Sequence, residues 1–133
     1  MGGEGISDLI TYAFRRPVFP IIVEIGGQVI AARSKQALEK KLSDIVLAPG
    51  RAYDGVDSAG NNWVLYSDSM ILSPLTFRKR QTKLELIRLV NGRTNKSLDE
   101  KPYSEKSLAA KTFARVFEDL VNITSSRPVT RGS

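Results

Sequence analysis

The sequence predicts an α+β domain: an antiparallel sheet of about four to five strands, built from two hairpin-like units and packed against helices on one face. Three observations carry this. Two β-branched runs meet at Gly26-Gly27 in PIIVEIGGQVIAA, the pattern of a tight hairpin. A second stretch, YDGVDSAGNNWVLYSDSMILSPLTF, alternates turn residues with strand formers. Two amphipathic helical patterns then close the chain, the first opened by the capping-box sequence Thr82-Lys83-Leu84-Glu85.

Element by element, residues 1–6 are glycine-rich and are expected to be disordered, ahead of a single domain over 7–124 and a flexible tail over 125–133. From Ser7, the residues Leu9, Ile10, Ala13 and Phe14 fall at helical spacing, and Pro17 stops that short helix. In the hairpin, Ile21, Val23 and Ile25 share a face with Ile30 and Ala32, while Glu24 points the other way. Ser34 caps a helix whose stripe is Leu38, Leu42, Ile45 and Val46, ended by Pro49-Gly50. Strands follow near 52–56, 63–67 and 69–72, the last two readable as one strand bent at Ser67-Asp68. The capped helix runs to Asn91, with Gly92 after it. A final helix over Ser104 to Asn122 carries Leu108, Phe113, Val116, Phe117, Leu120 and Val121 on one side.

Composition narrows the chemistry. The 133 residues include neither cysteine nor histidine. That removes disulfides, thiolate nucleophiles, imidazole bases and the ligands of structural zinc. Carboxylates, lysine, tyrosine, serine or a hard cation would have to carry any reaction. No catalytic set, metal ligand set or cofactor is assigned, and an enzyme based on carboxylates or serine ranks last. No apolar run approaches the ~20 residues of a membrane helix, and the N-terminus lacks the form of a secretory signal. A cytoplasmic protein without membrane contact is the expectation.

Charge is distributed unevenly. Residues 78–96 hold Arg78, Lys79, Arg80, Lys83, Arg88, Arg93 and Lys96 against the single acid Glu85, seven minus one. The remaining chain has thirteen charges of each sign, so the whole excess of +6 lies in this stretch. Its helix is apolar over roughly 220° of arc and leaves only Glu85 and Arg88 outward, too narrow a polar face to read bases. Arg93 and Lys96 follow the helix C-terminus, where cations are favourable. Arg78, Lys79 and Arg80 precede the N-terminus, where the helix dipole opposes them. Together with free N–H groups they would suit a phosphate or carboxylate, although cations there also guard a strand against aggregation.

Other features are weaker. Trp63 and Tyr66, near Tyr53, are candidates for stacking on bases. Asp54, Asp57, Asn61, Asn62 and Asp68 gather oxygens about a turn, but the EF-hand template fails, with Ala59 and Asn62 at the wrong positions. Ser67, Asp68 and Ser69 stand together without a base. Ala109, Ala110 and Ala114 beside Phe113 and Phe117 can seat another helix closely. The leading expectation is a small non-enzymatic binding or adaptor domain acting through macromolecular contacts, with a protein partner or self-association. The alternative is a nucleic-acid-binding protein that uses the basic stretch on phosphates.

Overall fold

Gly26 and Gly27 take φ values of 58° and 89°. Successive left-handed residues are what a two-residue hairpin turn of the right twist requires. The turn fixes the register Ile25↔Gln28, Val23↔Ile30 and Ile21↔Ala32 between β2 (Ile21–Ile25) and β3 (Gln28–Ala32). The computed structural model describes residues 9–75, 79–92 and 102–125. The expected disordered segment 1–6 lies outside them, as does all of the expected tail except Ser125, which closes the last helix.

Around this hairpin the chain builds β1 (Thr11–Tyr12), α1 (Lys35–Ser43), β4 (Ala52–Asp57), β5 (Asn62–Tyr66), β6 (Ile71–Pro74), α2 (Lys83–Asn91), α3 (Ser107–Ala110) and α4 (Phe113–Ser125). The α+β class is as expected. Among the described residues the sheet has six strands in the order β1-β6-β5-β4-β2-β3, and it is mixed, because β1 runs parallel to β6.

The helices cover both faces, not one. On the first face Ile21, Val23, Ile25, Trp63, Leu65 and Leu72 pack with Leu38, Leu42 and Ile45 of the α1 region. On the second, Ile22, Val29, Ala31 and Val56 meet Leu86, Ile87 and Val90 of α2 and Val116, Phe117, Leu120 and Val121 of α4. The reason lies in the hairpin itself. IIV and VIAA are continuous apolar runs, and successive strand residues face opposite ways, so both faces need cover.

Three further expectations change, and one of two strand readings is decided. Residues 9–16 are not a helix. Ile10 is buried while Phe14 is 92% exposed, and the N–H groups of Thr11 and Ala13 donate to Met70 O and Leu72 O. The apolar window was too short to sustain a helix against the backbone partners that an open sheet edge supplies. Phe14 instead takes φ 69°, a conformation costing a bulky L-residue roughly 1–2 kcal/mol. Helix α1 stops at Ser43, which leaves Val46 66% exposed. Strands β5 and β6 are separate and antiparallel, joined by a turn over residues 67–70 with Met70 at φ 53°. The long terminal helix is broken at Lys111-Thr112. Thr112 caps α4, its Oγ1 accepting from the Arg115 N–H, and Leu108 is 37% exposed, off the apolar stripe.

One buried group ties the loops to the sheet. Asp57 ends β4 with no exposed surface, and its carboxylate accepts from five donors. The Trp63 indole N–H (2.9 Å), the Val18 N–H (3.1 Å) and the Asn61 side-chain amide (3.4 Å) reach Oδ2. The Ala59 and Asn61 N–H groups, both at 3.0 Å, reach Oδ1. Gly55 lies opposite Trp63 in the ladder, and a Cβ there would meet Ile22 O at 3.1 Å. The closeness of β2 at this point, not the indole, is what crowds a side chain at Gly55. Ser67 and Asp68 do related work: Ser67 Oγ bridges Ala48 O and the Arg51 N–H, and Asp68 Oδ1 accepts from the Gly50 N–H.

Each buried donor left without a partner costs about 1–3 kcal/mol. Asp57→Ala should therefore lose roughly 3 kcal/mol or more, a large share of a typical total of about 5–15 kcal/mol. Asp57→Asn, which keeps one acceptor, should lose less. Urea titrations of the two variants against wild type measure both losses.

Candidate anion-binding cleft at the start of α2

The segment 79–82 is held against the turn that Asp57 organises. The Asn62 side-chain amide donates to Lys79 O at 2.7 Å, and the Gln81 N–H donates to Gly60 O at 2.9 Å. The Gln81 amide in turn donates to Asn62 Oδ1 at 3.1 Å. Asn62 is buried, so both ends of its side chain serve this strap. Gly60, at φ 85°, supplies the carbonyl from a conformation that favours glycine.

Thr82 then starts α2 with the expected capping box. Its Oγ1 accepts from the Glu85 N–H at 3.2 Å, and Glu85 Oε1 accepts from the Thr82 N–H at 2.8 Å. The consequence for anion capture runs against the sequence expectation, because the helix end already carries its own carboxylate. Its dipole is partly satisfied, so side chains rather than helix N–H groups must attract a ligand.

A cleft of about 380 Å³ opens here, lined by Asn62, Lys79, Arg80, Gln81, Thr82 and Glu85. That volume is near the lower end of the ~300–1,000 Å³ of small-ligand sites, enough for one anionic group of a larger partner. Lys79 and Arg80 are exposed on its rim, and among the described residues neither forms an ion pair.

The other cations of the basic stretch separate from this pair. The Lys83 ammonium donates to Leu108 O and, at 2.5 Å, to Lys111 O, closing the carbonyl end of α3. It is a helix-terminal contact, not a free phosphate ligand. Arg88 stands one turn on, 3.5 Å from Glu105, on the narrow outward face with Glu85. Arg78, Arg93 and Lys96 lie outside the described residues. Trp63 cannot stack on a base, being fully buried with its ring against the core and the Arg15 guanidinium 5.2 Å from the ring centroid. Tyr66 is 44% exposed, on the opposite face of β5 from Trp63. The two do not form one platform.

What sequence reading missed is the strap itself. Asn62 and Gln81 read as ordinary turn and cap-flanking residues. Their only signal is that Asn62 interrupts the apolar face of a strand. Also missed is a groove of about 210 Å³ beside the cleft, between β2, β4 and α2. Glu24, Asp54 and Glu85 line it together with Val56 and Leu89. Glu24 and Asp54 stand out as polar residues in strands and Glu85 as a capping residue of α2, but their convergence depends on register. Among the described residues no cluster of three or more acidic side chains is arranged to hold a metal ion, and no helix is long and apolar enough to cross a membrane.

Beyond the cleft, charge pairs secure the α3–α4 junction. Asp119 Oδ2 accepts from the Tyr103 hydroxyl at 2.6 Å and from the Lys111 ammonium at 2.7 Å. The Lys111 bond first, then Tyr103, holds the Asp119 carboxyl below the usual carboxylate range, and the same contacts raise Lys111. A carboxyl lowered on folding adds stability above its unfolded pKa of about 3.9 and loses it as pH falls through the folded value. Asp119→Asn should therefore melt at lower temperature than wild type at pH 7. Thermal melts should show that gap narrowing below about pH 4, with the Lys111 contribution fading only above about pH 10.4. No family model, curated protein or solved structure matches this chain.

Proposed function

We propose that the chain is a non-catalytic binding domain, an adaptor that captures an acidic segment of a protein partner at the cleft before α2. One observation supports this reading above the others. Lys79 and Arg80 sit on a segment fixed by three hydrogen bonds to the 57–62 region, through Lys79 O, the Gln81 N–H and the Gln81 side chain. Charges needed only for solubility have no use for a fixed backbone. Fixing it lowers the ordering entropy lost on binding.

Nucleic-acid binding remains the alternative because the net excess of +6 falls in residues 78–96. Its support is thinner. A phosphate track needs several free cations and usually an aromatic platform. Here Lys83 is occupied at α3 and Trp63 is buried.

Fluorescence anisotropy across a salt series tests the choice, using a labelled glutamate-rich peptide, single-stranded and duplex DNA, and RNA. The expected result is peptide binding that weakens at least about tenfold in Lys79→Glu/Arg80→Glu, with rising salt weakening wild type more than the variant. Tighter binding to DNA or RNA, with a steep salt slope flattened in the variant, favours the phosphate reading. No binding to any probe at low salt overturns both.

A further inference from the structure

Phe14 departs from two rules at once. It holds a left-handed backbone, φ 69°, and its ring is 92% exposed. A bulky residue at positive φ is a genuine outlier, and outliers of this kind gather where a surface is used. Burial within the chain returns nothing for the strain. The bend that presents it is firmly held: Arg15 lies over Trp63, Pro17 is buried and the Val18 N–H is bonded to Asp57. Arg16, two residues on, is exposed. The result is an aromatic knob, with a cation near it in the chain, on a base that Arg15 helps to hold.

The groove between β2, β4 and α2 has the complementary character. Glu24, Asp54 and Glu85 line it, with Val56 and Leu89 beside them. At about 210 Å³ it is smaller than the ~300–1,000 Å³ of small-molecule sites and suits one inserted side chain. The knob belongs to the segment packed on the Trp63 face of the sheet, through Phe19, whereas the groove lies on the α2 face. A chain cannot fill its own groove.

We propose that Phe14 of one copy inserts into the Glu24–Asp54–Glu85 groove of a second, with Arg16 against its acidic side chains. Charge and size match. The proposed contact is single and head-to-tail: the pair keeps one free knob and one free groove, on different copies, so the assembly extends past a dimer. This goes beyond the adaptor reading and rests on different residues, the shared Glu85 excepted.

Analytical ultracentrifugation of the full chain, up to roughly 0.1–1 mM, tests it at the affinity a single-anchor contact would give. Wild type should show a weight-average mass rising past two copies with concentration. Phe14→Ala, which lacks the knob, and Asp54→Lys, which reverses a groove charge, should each remain monomeric with unchanged circular dichroism. Mixing the two should restore association that stops at two chains, because only one intact knob and one intact groove remain. If Asp54→Lys fails to fold, Arg16→Glu replaces it as a variant of an exposed loop, with association weakened at least about tenfold. In that case each variant is measured alone. Phe14→Gly adds a control: it should melt no lower than Phe14→Ala, since glycine relieves the positive φ, yet associate no better. A wild type that stays monomeric, a dimer that stops at two copies, or association unchanged in Phe14→Ala each overturns the proposal.

Discussion

A single carboxylate, fully withdrawn from solvent at the end of β4, holds the loop side of this fold in place. Burying an ionised or strongly polar group is unfavourable unless donors replace the water it gives up. Asp57 has five such donors, drawn from three places: the N-terminal bend at Val18, the turn at Ala59 and Asn61, and the indole of Trp63. Each place gains order from the others. The turn thus fixed offers Gly60 O to Gln81 and the Asn62 side chain to Lys79, and through them the entry to α2 is set. The same group that stabilises the core therefore positions the cleft and, through Val18, the base of the Phe14 knob.

The charges follow a division that linear sequence conceals. Lys83, Lys111 and Arg33 are engaged in contacts that join elements, the last through paired bonds of 3.2 and 2.7 Å to Glu118 and one of 2.5 Å to Asn122. Lys79 and Arg80 are held at the backbone and project their charge into a cleft. Exposed ion pairs contribute little to stability, about 0–1 kcal/mol each. Their placement is more informative about register and partner choice than about the strength of the fold. The acidic groove and the cationic cleft share Gln81 and Glu85, so one helix entry presents both signs within a short distance.

Much of the architecture was legible because local chemistry and tertiary structure agreed. The Gly26-Gly27 turn, the Ser34 cap and the Thr82–Glu85 capping box each satisfy a backbone need that few other residues meet, and each appears where expected. The failures have a common physical origin. Residues 9–14 have a helical pattern, yet the open edge of β6 offers hydrogen bonds that a helix so short cannot match. The cover on both faces is implied by the consecutive apolar residues 21–23 and 29–32, which alternation alone does not explain. Thr112 carries a cap signal inside an otherwise continuous apolar stripe, and the cap prevails in the fold. At the site, RKR draws attention to Lys79 and Arg80, which line the cleft before α2. The Asn62–Gln81 strap and the Glu24–Asp54–Glu85 groove arise from cross-strand register, which no single segment encodes.

Asp57 acts as a core clamp and not as a surface turn residue. Hydrogen exchange of the Trp63 indole N–H, followed by NMR in native buffer, reads that bond alone. The expected result is exchange as slow as the slowest amides of β4 and β5, so that the indole is released only when the whole domain unfolds. Exchange many orders of magnitude faster than those amides, through a local opening that leaves the sheet intact, would contradict it.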